Sequence, residues 1–132
     1  MNRGDFFKGV TSLSSSSAKP KRGEVWTVDF DPTKGAEIQK QRPAIVISSD
    51  AVGKLPLKLV APITNWSPAF EGNIWHVRLN PTAQNGLTKP SAADALQIRS
   101  VSIDRFLKHR GRVTQQELEE IVQALAIVVE IS

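Results

Sequence analysis

The sequence predicts a small α+β domain in which a strongly bent, barrel-like antiparallel sheet carries a single C-terminal helix. Three observations predict it. Several short segments alternate apolar with polar residues or run apolar without a break, as strands do. Turn formers separate them at short intervals. Beyond residue 113 the apolar spacing changes from two to the three-and-four of a helix. A chain of 132 residues is one domain in size, and 40% apolar with 23% charged residues is globular composition.

Each element follows from its residues. In Glu24–Phe30, Trp26, Val28 and Phe30 fall on one face and Thr27 and Asp29 on the other, which marks a half-buried strand. Asp31-Pro32-Thr33-Lys34-Gly35 ends it, and the chain stays polar up to Pro43, a long loop of the kind that often carries function. Ala44-Ile45-Val46-Ile47 is continuously apolar and suits a central strand buried on both faces. A second such strand spans Leu57 to Ile63, where Pro62 requires a strand end, an edge or a bulge. Ile74 to Leu79 alternates again, followed by Asn80-Pro81 and Asn85-Gly86 as turn signals. Ser91 to Val101 holds one or two further strands, and Lys108-His109-Arg110-Gly111-Arg112 reads as a basic stretch. Thr114-Gln115-Gln116-Glu117 is a capping box that starts the helix, with Leu118, Ile121, Val122, Leu125, Val128 and Val129 as its packed stripe.

Residues 1–20 are expected to be a flexible N-terminal tail, with the domain running from 21 to 132. Phe6, Phe7, Val10 and Leu13 are too scattered for a secretory signal, and Ser14-Ser15-Ser16-Ser17 offers nothing to bury. No apolar run approaches the 18 or so residues of a membrane helix, so a soluble chain is expected. The absence of cysteine excludes a disulfide scaffold, a Cys-based zinc site and a thiol nucleophile. A net charge of +4 and a pI near 9.7 favour polyanionic partners.

The common enzymatic motifs are missing: H-E-x-x-H, the Walker A pattern, G-x-G-x-x-G after a strand, and the G-x-S-x-G elbow. His76 reads as a sheet-face histidine, since nothing in its spacing supplies an orienting carboxylate, and His109 reads as a solvated surface residue. No metal site and no cofactor are expected.

Arg22-Gly23-Glu24-Val25-Trp26, then Pro32-Thr33-Lys34-Gly35-Ala36-Glu37, then Arg42-Pro43 before Ala44-Ile45-Val46-Ile47, stand in an order that resembles the MazF/PemK toxins. Val60-Ala61-Pro62-Ile63-Thr64 is similar to that family's apolar strand ending in Thr or Ser, and Gln97-Ile98-Arg99 to part of its third block. The resemblance spans Lys21 to about Val129. It implies the compact SH3-like barrel and homodimer of the CcdB/MazF-like folds. It also implies a metal-independent, sequence-specific endoribonuclease of the cytoplasm, the toxin of a type II toxin–antitoxin pair, that cuts single-stranded RNA to 2′,3′-cyclic phosphate and 5′-hydroxyl ends. The implied partner is a cognate antitoxin, an acidic and partly disordered chain that folds across a basic groove.

Carried over residue by residue, the resemblance makes Arg42 and Thr64 catalytic. A guanidinium offers planar, paired donors to a phosphate at any pH, and a hydroxyl adds one more hydrogen bond. Glu37 is expected to contact RNA or to hold the loop through Lys40, and Trp66 to stack a base or fold back on the core. Lys40, Lys89, Gln97 and Arg99 complete the expected RNA contacts, joined by the Lys108–Arg112 cluster. Where many members carry an acidic residue directly before the Gln of the third block, this chain has Leu96. The general base is therefore unassigned, with Glu37 as a candidate. Two other classes remain open on sequence: a gyrase-binding toxin like CcdB, against which stands the absence of any Trp after Trp75, and a non-catalytic RNA-binding barrel.

Overall fold

The computed structural model describes residues 19–52 and 55–131. The expected tail therefore lies outside the described residues, except for Lys19 and Pro20. In chain order the elements are β1 (Glu24–Asp29), β2 (Gln41–Val46), β3 (Leu57–Asn65), β4 (His76–Leu79), β5 (Ser91–Asp94), β6 (Arg99–Ser102), β7 (Phe106–Arg112) and helix α1 (Gln115–Val128). They form one antiparallel sheet in the order β4-β5-β3-β2-β1-β7, with β6 also paired to β3. The two end strands do not pair with each other, so the sheet is bent and not closed.

β2 sits between β1 and β3, as its unbroken apolar run requires. Ile45 faces a core shared with Val25, Ile63, Leu79, Leu118 and Ile121, while Ala44 and Val46 face a second one with Val28, Phe30, Val60, Val101 and Phe106. Burial on both faces holds β2 rigidly, and with it whatever side chain its first residues carry.

β3 changes partners along its length. Leu57–Val60 pairs with β6 and Ile63–Asn65 with β5. Pro62 falls at the junction, opposite Ala44 of β2 and paired with neither β5 nor β6, so its missing N–H interrupts no ladder. The chain between β5 and β6 makes a 3-10 turn at Ala95–Gln97, and α1 packs on this turn and on β4.

Three elements differ from the sequence expectation. β7 occupies the stretch read as a basic cluster and pairs with β1. β4 begins at His76 and not at Ile74, because Ile74 and Trp75 belong to the preceding turn. The packed stripe of α1 is Leu118, Ile121 and Ala124 with Leu125 beside them, whereas Val122 and Val129 are exposed. Its capping box is formed as expected, with the Glu117 N–H donating to Thr114 Oγ1 at 3.1 Å and the Thr114 N–H to Glu117 Oε1 at 2.8 Å.

Candidate active site

The loop from Asp31 to Lys40 is tied down along its whole length. At its base the Phe30 N–H donates to the Lys40 carbonyl at 2.9 Å, and the Lys40 N–H to Asp31 Oδ1 at 2.9 Å. Lys40 adopts a left-handed backbone, φ 66°, to make this closure. The Arg105 guanidinium braces the same base by donating to the Asp29 carbonyl at 3.0 Å and to the Asp31 carbonyl. Near the tip, Glu37 Oε1 accepts from the Lys34 N–H at 2.8 Å, so Glu37 holds the loop through Lys34 and not through Lys40. In the middle, Gln97 Oε1 accepts from the Ile38 N–H at 2.7 Å while its Nε2 donates to the Ala36 carbonyl at 3.3 Å.

Arg42 follows this loop on β2. The β2–β3 ladder ends at the Ala44–Pro62 pair, with Arg42 two residues before it on β2 and Thr64 two residues after it on β3. Both residues line a pocket of about 420 Å³ with Glu37 and Lys40. The Arg42 Nε donates to the Gln39 carbonyl at 3.3 Å, which orients the guanidinium; its two terminal nitrogens have no partner among the described residues. Thr64 is held by pairing with Ala92 of β5.

On the other side of the loop lies a second pocket of about 590 Å³, lined by Phe30, Ile38, Pro62, Leu96, Gln97 and Arg99. Ala36, Glu37 and Ile38 border both pockets, so this stretch of loop is the wall between them. Leu96 is 58% exposed at this rim.

Six of the eight expected site residues therefore gather around one loop: Glu37, Lys40, Arg42, Thr64, Gln97 and Arg99. Trp66 and Lys89 line neither pocket. Trp66 lies under the Arg78 guanidinium at 4.8 Å and against the edge of Phe70, and its N–H donates to the Pro90 carbonyl at 2.9 Å. Of the basic cluster, Arg110 spends its guanidinium on Thr27 Oγ1 and the Gly86 carbonyl, which makes it a staple of β7. Arg105 was not foreseen, since the carbonyls it braces lie more than seventy residues away and nothing local marks it.

His76 does have a carboxylate, contrary to the sequence reading. It stands opposite Asp94 in the β4–β5 register, Nε2 3.6 Å from Oδ2, with both side chains buried. Asn73 Nδ2 lies 3.2 Å from its Nδ1, and Phe70 stacks on the ring at 3.8 Å. Every face of the imidazole is thus engaged, which fits a structural role. His109 is half exposed and lies 3.4 Å from Glu24.

Both ion pairs among the described residues involve a histidine; no lysine or arginine of that set is paired with a carboxylate. A larger pocket of about 820 Å³ opens at the far end of β1, beside Arg22, Glu24, Asp50 and His109. Its polar groups satisfy one another, Glu24 with His109 and Asp50 with the Arg22 N–H at 2.9 Å, so the smaller pocket is the stronger candidate. Among the described residues no group of three or more His, Cys, Asp or Glu side chains is placed to hold a metal ion. Among the described residues no helix is long and apolar enough to cross a membrane.

A bent antiparallel sheet with one C-terminal helix is also the fold of toxins among solved structures. MazF of Deinococcus radiodurans superposes with a TM-score of 0.73 at 23% identity, over 87% of this chain and 100% of that one. An endoribonuclease from a mycobacterial species, solved in complex with its cognate antitoxin, gives 0.68 at 20% identity, over 86% and 98%. At these identities the likeness is one of fold. In sequence, the chain is 37% identical to endoribonuclease MazF9 of Mycobacterium tuberculosis over 81% of its own length and 93% of the relative's. It is 29% identical to the endoribonuclease toxin MazF of Escherichia coli K12, over 83% and 94%. A sequence model of the PemK-like, MazF-like toxins of type II toxin–antitoxin systems matches residues 21–129. The chain belongs to this PemK/MazF-like toxin family.

Proposed function

We propose that this protein is the toxin of a type II toxin–antitoxin pair and acts as a sequence-specific endoribonuclease on single-stranded RNA. It works in the cytoplasm as a homodimer, without a metal, and is held inactive by a cognate antitoxin. Family membership and the endoribonuclease relatives support the activity. The observation that carries the site assignment is that Arg42, with its terminal nitrogens unpaired, and Thr64 line one pocket beside a fixed loop.

The chemistry follows from these groups. The ribose 2′-oxygen attacks the adjacent phosphorus, its bond to phosphorus forms as the bond to the 5′-oxygen breaks, and charge builds on the non-bridging oxygens. The Arg42 guanidinium donates two parallel hydrogen bonds to that charge, and the Thr64 hydroxyl donates a third. Arg42 is pre-oriented by the Gln39 carbonyl and by the doubly buried strand behind it, so little reorganisation is needed as the charge appears. Glu37 is the only carboxylate lining the pocket and takes the 2′-proton, while the departing 5′-oxygen receives a proton from solvent. The products are a 2′,3′-cyclic phosphate and a 5′-hydroxyl.

Purified protein incubated with one long RNA, with and without EDTA, tests this. Discrete cut ends that persist under chelation, and that disappear when the scissile nucleotide carries 2′-deoxyribose, are expected. RNA binding without any product indicates a non-catalytic RNA-binding barrel and overturns the reading. Cleavage lost on chelation overturns its metal-independent part.

A further inference from the structure

We infer that Gln97 is a positioning residue: its amide clamps the loop at Ala36 and Ile38, and thereby sets the wall between the cleavage pocket and its neighbour, instead of reading an RNA base. This rests on the proposed cleavage site, and it departs from the expectation that Gln97 contacts RNA.

The amide has one carbonyl and one NH₂ group to spend. The carbonyl is taken by the Ile38 N–H at 2.7 Å and the NH₂ by the Ala36 carbonyl at 3.3 Å, so both ends of the group are committed to loop backbone. The residue that makes the clamp is itself fixed. It ends the 3-10 turn Ala95–Gln97, whose N-cap Asp94 accepts from the Leu96 N–H at 2.9 Å and whose outer side is covered by α1. This turn joins β5 to β6, the two strands that share β3, and it thus ties the loop to the sheet.

The clamped stretch is the one that borders both pockets. Ile38 packs its side chain on the core around Phe30 and Val46, but the neighbouring residues 36, 37 and 39 are exposed and gain nothing from burial. Hydrogen bonds therefore hold this stretch, Ala36 through Gln97 and Glu37 through its reciprocal pair with Lys34. Gln39 supplies the carbonyl that orients Arg42, one residue beyond Ile38. Loosening the clamp lets the wall and the orienting carbonyl drift together. Misplacement of that order lowers turnover more than it lowers binding.

The test compares Gln97→Ala and Gln97→Glu in the full-length protein. Amide hydrogen exchange at Ile38 is read first, because it does not depend on any cleavage activity. Gln97→Ala should raise Ile38 exchange by about tenfold, the factor for one neutral hydrogen bond, with amides of β2 and α1 unchanged. On RNA it should lower kcat about tenfold with little change in KM. Gln97→Glu keeps the acceptor for Ile38 and loses the donor for Ala36, so it should retain Ile38 protection and most of kcat. Its added charge should raise KM and make the salt dependence shallower. In Gln97→Ala, unchanged Ile38 exchange, or a raised KM with kcat intact, overturns the proposal in favour of direct RNA contact. If the wild-type protein cuts no RNA the cleavage reading fails, and the exchange data still decide whether the clamp exists.

Discussion

Arg42 and Thr64 line the same pocket, each two residues beyond the Ala44–Pro62 pair that ends the ladder between β2 and β3. This proximity is a product of topology, since the residues are brought together by a strand buried on both faces and a neighbour that changes partner two residues before Thr64. Arg42→Ala should reduce kcat by about 10²–10³-fold, the usual effect of removing a donor aimed at developing charge, with the fold intact by circular dichroism. Thr64→Val should cost about 10–100-fold, in keeping with one hydrogen bond to a charged oxygen. Arg42→Lys should recover only part of the loss, because an ammonium cannot donate two coplanar bonds. Unimpaired cleavage by Arg42→Ala contradicts the assignment.

The unpaired lysines and arginines predict a strong salt dependence of RNA binding. For single strands, log K against log salt falls with a slope of about −0.7 for each phosphate neutralised. Lys40 borders the cleavage pocket, and its left-handed backbone is tolerated by Asn. Lys40→Asn should therefore weaken binding and make the slope shallower by about 0.7, without loss of stability. An unchanged slope places Lys40 outside the phosphate path.

The sequence carried most of this arrangement, and what it lacked has physical causes. The central strand, the capping box and the loop before Arg42 were legible because each has a local signature: an unbroken apolar run, a T-x-x-E spacing, a polar stretch between strands. β7 was not, because Phe106 is its only buried residue and its remaining positions are cationic, glycine or exposed, so no alternation marks it. Its existence depends on pairing with β1. The His76–Asp94 contact was invisible for a similar reason, since eighteen residues separate two groups that only a sheet register places side by side. Gln97 is the opposite case. Its resemblance to a family block pointed to RNA, and no local signal announced that the fold directs both of its polar atoms to a loop some sixty residues away.

Asp94 couples the stability of the sheet to the site. One carboxylate oxygen caps the turn that ends in Gln97, and the other faces His76. Asp94→Ala removes both and should cost about 1–3 kcal/mol in chemical denaturation, the range for a buried partner left unsatisfied. Asp94→Asn still accepts from the Leu96 N–H and should cost less. Equal losses in the two variants indicate that the charge facing His76 matters and the cap does not.

Gly86 and Gly72 separate a conformational cost from a packing cost. Both have positive φ, 68° and 83°, so a side chain strains the backbone at either position. Around Gly72 nothing lies within 4 Å of an added Cβ, whereas at Gly86 it falls on the Arg110 carbonyl. That close approach is built in, because the Arg110 guanidinium reaches back to the Gly86 carbonyl at 3.1 Å and locks the turn against β7. Gly72→Ala should thus cost about 1 kcal/mol, the strain alone. Gly86→Ala should cost about 2–4 kcal/mol and loosen β7, because the oxygen it meets belongs to a bulge residue fixed between the His109–Trp26 and Gly111–Val25 pairs, which limits its retreat. Equal unfolding midpoints for the two variants contradict this account of how the edge strand is anchored.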